Sequence, residues 1–354
     1  MIDEILSEER KILNEKWVTN IVAAFGGPEN TSFVSPSGNN INDRLWDLAS
    51  VTKLYSLFAI LSLCEEGKFD ITKKVKDYSP NFPGLSELYI YELMNFSVEC
   101  ITGERIDDCE TYDKAIKALH GTQVKSSQTK YSDVGAMITG LIINERFGKD
   151  FFQNYISDML KRIGAKRTYW WYDIPDDEIN IESYDPEYKY VDGELIRITT
   201  PPRTCHDPKA RILPLGHAGL YSCASDIALF ASHILDESII SKKTLSILLD
   251  STYDCWDSHH HFGLLCNKKH HDPLYSEIPA SCSEKSVSIT GYSGCHLLLD
   301  FENRLFVLLT ANRIRDRITN LNREDNKTYN YPCTKDWVFR KDDLVRLITQ
   351  NLLP

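Results

Sequence analysis

The sequence predicts a mixed α/β fold of the α+β kind: an antiparallel sheet formed from both chain ends, flanked by helices, with a mainly helical domain inserted. Three observations lead there. Strand-like stretches occur near the start, at 17–25 and 32–34, and return after residue 285 with period-two alternation. Between Lys68 and about Ile240 the spacing is helical and irregular. The chain then closes on a helical stretch, Lys341–Leu352. Residues 1–354 are therefore read as one unit. Residues 1–67 with 241–354 are expected to form the sheet part, and 68–240 the helical part.

Taken in order, residues 2–15 read as an amphipathic helix with Ile2, Ile5, Leu6, Ile12 and Leu13 on one stripe. The two early strands are separated by the turn-rich run from Gly26 to Asn30. Over Val51–Glu66 the residues Leu54, Leu57, Phe58, Leu61 and Cys64 recur at three- and four-residue steps, and Gly67 follows as a C-cap. Loops are expected near 80–87, 99–110 and 172–215. Asp133 reads as the N-cap of a helix that ends at Gly148, and Ile227–Leu235 as a further helix. Val287–Thr290 alternates as a strand. Cys295–Leu299 and Leu305–Thr310 flank a hairpin turn from Asp300 to Arg304.

The totals bound the function. A chain of 354 residues, 42% hydrophobic, buries a sizeable core. Forty basic against 51 acidic residues leave a net charge of −11, and no Lys/Arg-rich run offsets it. That argues against nucleic acid and anionic membrane surfaces as partners. No stretch approaches the roughly 18 apolar residues of a membrane span, and the acidic start from Met1 to Arg10 lacks the apolar core of a signal peptide. Ten dispersed cysteines without a Cys-x-x-Cys pair fit reduced thiols, so a cytoplasmic protein is expected.

The chemistry-bearing stretch is Ala49-Ser50-Val51-Thr52-Lys53, where a helix begins. Residues three apart share a helix face, so the Lys53 amine reaches the Ser50 hydroxyl. A serine is a useful nucleophile only when a neighbouring base takes its proton. The helix N-terminus adds N–H groups suited to a developing oxyanion. Lys130-Tyr131-Ser132-Asp133 opens a second helix. Beside a lysine, the Tyr131 phenol can serve as base toward a serine and then as acid toward a leaving group. Taken alone, such a tyrosine is more often a half-buried ring whose hydroxyl finds a partner. Ser288 to Gly294 sits at a predicted sheet edge. There Gly291 would admit a substrate close to the backbone and a nearby N–H would complete an oxyanion hole, while for the segment in isolation a bulge or turn is the preferred reading.

In this order and spacing the three stretches resemble the serine β-lactamase and penicillin-binding-protein superfamily, most of all its class C-related esterases and D-peptidases. The likeness covers about residues 15 to 352. It includes Leu45 to Lys53 running on into Leu63 to Asp70, and Tyr131-Ser132-Asp133. It also includes His206 to Ala210 with Gly216 to Ser222, and the closing hairpin from Leu298 to Arg313. The resemblance implies that Ser50 is acylated, that Lys53 and Tyr131 handle its proton, and that the N–H groups of Ser50 and Tyr292 hold the oxyanion. It implies that Asp133 contacts the substrate or Lys53 and that Thr290 lines the cleft beside the acyl group; with them Gly291 is expected to bind substrate.

Two departures follow. Ile289 stands where the family usually has Lys or His, a basic group that supports the tyrosine and attracts a substrate carboxylate. Ordinary β-lactams and D-Ala-D-Ala carboxylates are therefore not expected, unless Lys285, four residues earlier, folds back to substitute. Asp133 replaces the more usual amide, which favours neutral or cationic substrates. The expected reading is a serine hydrolase of carboxylesterase or D-peptidase type acting on a small-molecule ester, amide or acyl substrate. A biosynthetic acyltransferase on the same acyl-enzyme and a non-catalytic binding module on the same fold stay open beside it.

Other candidates read more simply. The histidines 259–261 with 270–271 lack carboxylates or thiolates at zinc spacing and read as a solvated loop, so no metal and no cofactor is expected. His217 reads as a structural hydrogen-bonder rather than a base. Ser222 and Asp226 read as helix-start residues, and Cys64 and Cys223 as buried fillers. Tyr169 to Tyr172 would either wall an acyl pocket or pack a loop.

Overall fold

Alternating apolar residues build an eight-stranded, wholly antiparallel sheet. Its strands are β1 (Ile21–Gly27), β2 (Asn30–Val34), β3 (Cys255–Trp256), β4 (His261–Gly263), β5 (Cys266–Lys268), β6 (Ser286–Thr290), β7 (His296–Asp300) and β8 (Leu305–Ala311). They pair in the order β3-β4-β5-β6-β7-β8-β1-β2. The N-terminal hairpin joins the C-terminal meander through β1 and β8, from Ile21 opposite Ala311 to Gly26 opposite Phe306. This is a computed structural model; it describes residues 1–15, 17–178, 180–181, 187–191, 194–198, 205–313 and 336–353, with the backbone course alone at 39–40, 187–191, 194–198 and 336–339.

Period two sorts the sheet into two faces. Val22, Ala24, Val287, Ile289, Leu297, Leu299, Phe306 and Leu308 join the main core. Ile21, Ala23, Phe25, Leu298, Val307 and Leu309 face a second core with α1 (Ile2–Asn14) and α5 (Asp336–Leu352), which supply Ile5, Ile12, Leu344, Val345 and Ile348. The main core also takes in α2 (Thr52–Glu65), α3 (Val134–Phe147) and α4 (Ala224–Leu235), of which α4 packs directly on β1 and β8. Tyr55 of α2 stacks on Phe230 of α4 with ring centroids 4.0 Å apart.

Several boundaries differ from expectation for visible reasons. β1 begins at Ile21 rather than 17. The glycines that looked like loop are paired, Gly27 opposite Asn30, leaving a two-residue turn. The stripe on α2 proves too narrow a description: Thr52 to Leu63 is buried without a break, so the helix is wrapped on all sides. α4, expected in the helical part, packs on β1 and β8. The loop expected at 99–110 holds a strand, Glu99–Ile101, paired with Gln123–Ser126. Within 172–215 there is a hairpin, Glu187–Val191 with Glu194–Ile198, and a short helix, Pro208–Ile212. Positions 179, 182–186, 192–193 and 199–204 of that stretch lie outside the described residues.

Candidate active site

The nucleophile turn is built from the strand Trp46–Asp47, which pairs with Leu220–Ser222 and leads through a 3-10 turn, Ala49–Val51, into α2. Ala49 has φ of 48°, a left-handed conformation that costs an alanine free energy and persists only when its surroundings hold it. Here the Ala49 N–H donates to Asp47 Oδ1 at 2.9 Å, and Leu48 N–H to Leu220 O at 3.0 Å. This sharp turn presents Ser50 at the helix start.

Two groups converge on Ser50. The Tyr131 phenol lies 2.9 Å from Ser50 Oγ, and Lys53 Nζ lies 3.0 Å from it. Lys53 is fully buried, and it also donates to Asp133 Oδ1 at 2.7 Å and to the His217 carbonyl at 3.0 Å. Its three N–H bonds are thereby assigned. Burial alone would lower the Lys53 pKa, but Asp133 and the Tyr131 oxygen outweigh it and hold the amine cationic above its usual range. The Tyr131 ring lies 5.1 Å from that ammonium and against Phe96 and Phe262.

Asp133 occupies the N-cap position but does not cap: its carboxylate bridges Lys53 and Lys209 (Oδ2 to Nζ, 3.1 Å), while Val134 N–H is taken by Ser132 Oγ. The charge expected to repel carboxylates is thus matched by two lysines. Lys209 also faces Asp207 at 3.4 Å and Asp107 at 3.8 Å. His217 contributes through its carbonyl. Its buried ring has no hydrogen-bond partner among the described residues and sits 3.6 Å from Asp207.

Burial pushes the His217 pKa from 6.5 down to about 4 against the pull of Asp207 and Asp133, and burial pushes that of His296 on β7 down to about 3. A base whose pKa is lower folded than unfolded contributes stability that is present at neutral pH. That stability is lost as pH falls below about 6.5. His217 alone then accounts for a loss of about 2–3 kcal/mol by pH 4.5. Asp133, Asp207 and Glu277 are held below the ordinary carboxylate range despite burial, and act with the same sign only under about pH 4. Urea unfolding at pH 7, 5.5 and 4.5 is expected to show the decline, and an unchanged midpoint over that window would contradict it.

The third stretch departs from its expected use. Ile289 is buried on the face toward α2, as period two requires of Val287 and Ile289. Thr290 is therefore on the opposite face. Its hydroxyl is engaged by Glu277 Oε2 (2.7 Å), His296 Nδ1 (2.9 Å) and Lys341 Nζ (2.8 Å), which removes it from the cleft it was expected to line. Lys285 pairs with Glu302 at 3.4 Å before β6 begins, so it does not replace the missing base. Gly291 serves the nucleophile turn: a Cβ there would collide with the Leu48 carbonyl oxygen and lie 3.3 Å from Ala49 Cβ. Gly291→Ala is expected to lower stability by about 1–3 kcal/mol and to reduce activity with it. Thermal melts and ester hydrolysis on one preparation check this, and an unaffected variant would show that the contact yields. Tyr292 follows directly and is half exposed.

The remaining candidates are occupied locally. His261 bonds Asp254 at 3.0 Å, His260 bonds Asp257 at 3.1 Å, and His259 bonds Ser258 at 2.7 Å. Asp47, Cys205 and His206 are the one group of possible metal ligands among the described residues, their donor atoms within 4.8 Å of one another. Asp47 Oδ2 lies 2.7 Å from His206 Nδ1, a direct hydrogen bond that leaves no space for an ion between them, and burial keeps the Cys205 thiol protonated. Ser222 bonds Thr168, and Asp226 accepts the Arg167 N–H. Trp170 is buried with its indole donating to Gln153 O, and Trp171 donates to Ala210 O, both packing roles. No helix among the described residues is long and apolar enough to cross a membrane.

A serine at a strained helix entrance, set between a sheet and a helical layer with a lysine and a tyrosine on its hydroxyl, is the plan of a serine hydrolase. The chain belongs to the Beta-lactamase family, whose sequence profile matches residues 20–323. It is similar to the N-acetylmuramyl-L-alanine amidase of Bacillus subtilis, 25% identical over 303 residues, covering 76% of this chain and 68% of that protein. In fold it is similar to a β-lactamase/D-alanine carboxypeptidase from Pseudomonas syringae, with TM-score 0.71 and 15% identity over 100% of this chain and 99% of the other. It is also similar to the D-amino acid amidase of Ochrobactrum anthropi, with TM-score 0.70 and 15% identity over 99% of each.

Proposed function

We propose that this hydrolase forms an acyl-enzyme on Ser50 from a small ester or amide and releases the acyl group to water. The observation that carries the reading is the convergence of Tyr131 Oη (2.9 Å) and Lys53 Nζ (3.0 Å) on one hydroxyl. Tyr131 acts in its phenolate form: it takes the Ser50 proton as Oγ attacks the acyl carbon and the negative charge passes to the carbonyl oxygen, and the phenol so formed gives that proton to the departing oxygen or nitrogen. Lys53, with all three N–H bonds assigned, stays cationic and stabilises the negative charge on the Tyr131 oxygen before the transfer and on Oγ as its proton leaves. The N–H groups of Ser50 and Tyr292 receive the oxyanion. Water repeats the sequence in deacylation. A binding module has no use for this convergence.

The Bacillus and Ochrobactrum amidases support an amide as well as an ester substrate. Ile289 puts no charge where a substrate carboxylate would be held, so neutral acyl compounds fit best. A fluorophosphonate is expected to add to Ser50 in the native protein and not in Ser50→Ala, read by peptide mass. Among substrates, p-nitrophenyl esters and neutral aminoacyl anilides are expected to exceed nitrocefin in kcat/KM by at least about tenfold. Equal labelling of both proteins, or none of either, would end the proposal.

A further inference from the structure

Asp47 and His206 were not assigned any role by motif, yet they touch both halves of the oxyanion hole. Asp47 is buried, and each of its carboxylate oxygens is used. Oδ1 accepts the Ala49 N–H at 2.9 Å and so braces the left-handed residue that sets the direction of the next N–H, that of Ser50. Oδ2 accepts the His206 N–H at 3.0 Å and faces His206 Nδ1 at 2.7 Å. The imidazole in turn lies parallel to the Tyr292 ring, centroids 5.5 Å apart at 11°. The main-chain oxygen of Asp47 closes the circuit by accepting from Ser293 Oγ at 2.5 Å. From the other side, Arg313 Nε donates to Tyr292 O, and its guanidinium sits 4.9 Å from the ring centroid.

We propose that the Asp47–His206 pair is a positioning device that fixes the two N–H donors of the oxyanion hole relative to each other, one arm ending on the Ser50 turn and the other on Tyr292. The inference rests on the reading of those two N–H groups given above. Physical necessity comes from where the donors originate. They lie on segments far apart in sequence, and an oxyanion hole works only while its donors are held in advance at the site of developing charge. The residue type is also specific. The two carboxylate oxygens accept from Ala49 N–H and from the backbone and ring N–H groups of His206, whereas an asparagine would turn an NH2 toward either Ala49 or His206 and break one arm. His206 needs both a ring and an N–H: the ring to back Tyr292, the N–H to reach Asp47.

The test uses Asp47→Asn and His206→Phe, the second of which keeps a ring to stack and loses the N–H. Active sites are counted by fluorophosphonate labelling of Ser50, and rates are expressed per labelled site. A phenylboronic acid, whose tetrahedral adduct places an oxygen in the hole, provides an inhibition constant. Each variant is expected to lose tenfold to about a hundredfold in kcat per labelled site, with boronate affinity falling in proportion and KM little changed. A purely structural role would instead lower the number of labelled sites and the melting temperature while leaving the rate per site intact. Retention of kcat per site and boronate affinity within twofold in either variant that folds would overturn the proposal. Should native Ser50 itself fail to label, the nucleophile assignment fails rather than the positioning role.

Discussion

Tyr131→Phe is expected to slow acylation of Ser50 by about 10²–10⁴-fold with the fold unchanged. The size follows from counting protons. Lys53 donates to Ser50 Oγ, Asp133 Oδ1 and His217 O, and Asp133 at 2.7 Å keeps it an ammonium. An ammonium with three N–H donors assigned has no lone pair for another proton. Tyr131 Oη, which donates to Ser50 Oγ at 2.9 Å in the resting arrangement, is then the neighbouring oxygen that takes the Ser50 proton, as the phenolate. The ring is held independently of its hydroxyl, against Phe96 at 4.9 Å and Phe262 at 6.1 Å, so phenylalanine preserves the packing. Single-turnover burst kinetics with a p-nitrophenyl ester read acylation directly. Because tyrosine and lysine act on one hydroxyl, the double variant Tyr131→Phe/Lys53→Met should lose far less than the product of the single losses. A Tyr131→Phe enzyme that acylates within a few-fold of the native rate would return the base role to Lys53.

The sequence carried the sheet from both chain ends because period-two alternation in β6 to β8 and the three-four spacing of α2 are local signals. The approach of Lys53 to Ser50 was legible too, since a helix start puts residues three apart on one face, whereas Tyr131 is held by packing on Phe96 and Phe262 and not by the expected Asp133 cap. What stayed hidden depends on contacts between distant segments. Lys209 reaches Asp133, and His206 reaches Asp47, only after the chain has folded. The resemblance marks His206 to Ala210 as a landmark, and the density of ionisable groups at His206, Asp207 and Lys209 around Pro208 is a further hint, but neither names the distant partners these side chains reach. Thr290 was misplaced for a different reason. The motif put it beside Ile289, and a strand sends adjacent side chains to opposite faces. Alternation was already legible in Val287 to Thr290 and outranks the motif.

That opposite face sets the largest expected stability effect, a loss of about 3 kcal/mol on Lys341→Met. Lys341 is fully buried, reaching Thr290 Oγ1 at 2.8 Å, Glu277 Oε2 at 3.3 Å and Asp342 Oδ1 at 2.9 Å. Burial disfavours both charges, yet Lys341 holds Glu277 well below its ordinary carboxylate range, and Glu277 with Asp342 holds the Lys341 ammonium above its own. Removing the cation leaves a mostly buried carboxylate whose remaining donors are Ser288, Thr290 and Asn267, so the loss falls at the lower end of that for a broken buried pair. The sign with pH follows. In the native protein the depressed Glu277 pKa contributes stability above about pH 4.5 that is lost on acidification. In the variant the same group is pushed upward by burial, so the difference between the two proteins is greatest at neutral pH and narrows toward pH 4. Urea unfolding followed by tryptophan fluorescence at pH 7 and pH 4.5 measures it, and Glu277→Gln/Lys341→Met is expected to recover part of the loss by removing the stranded charge. A difference below about 1 kcal/mol at neutral pH, or one that does not change with pH, would mean that shape rather than charge holds α5 against β6.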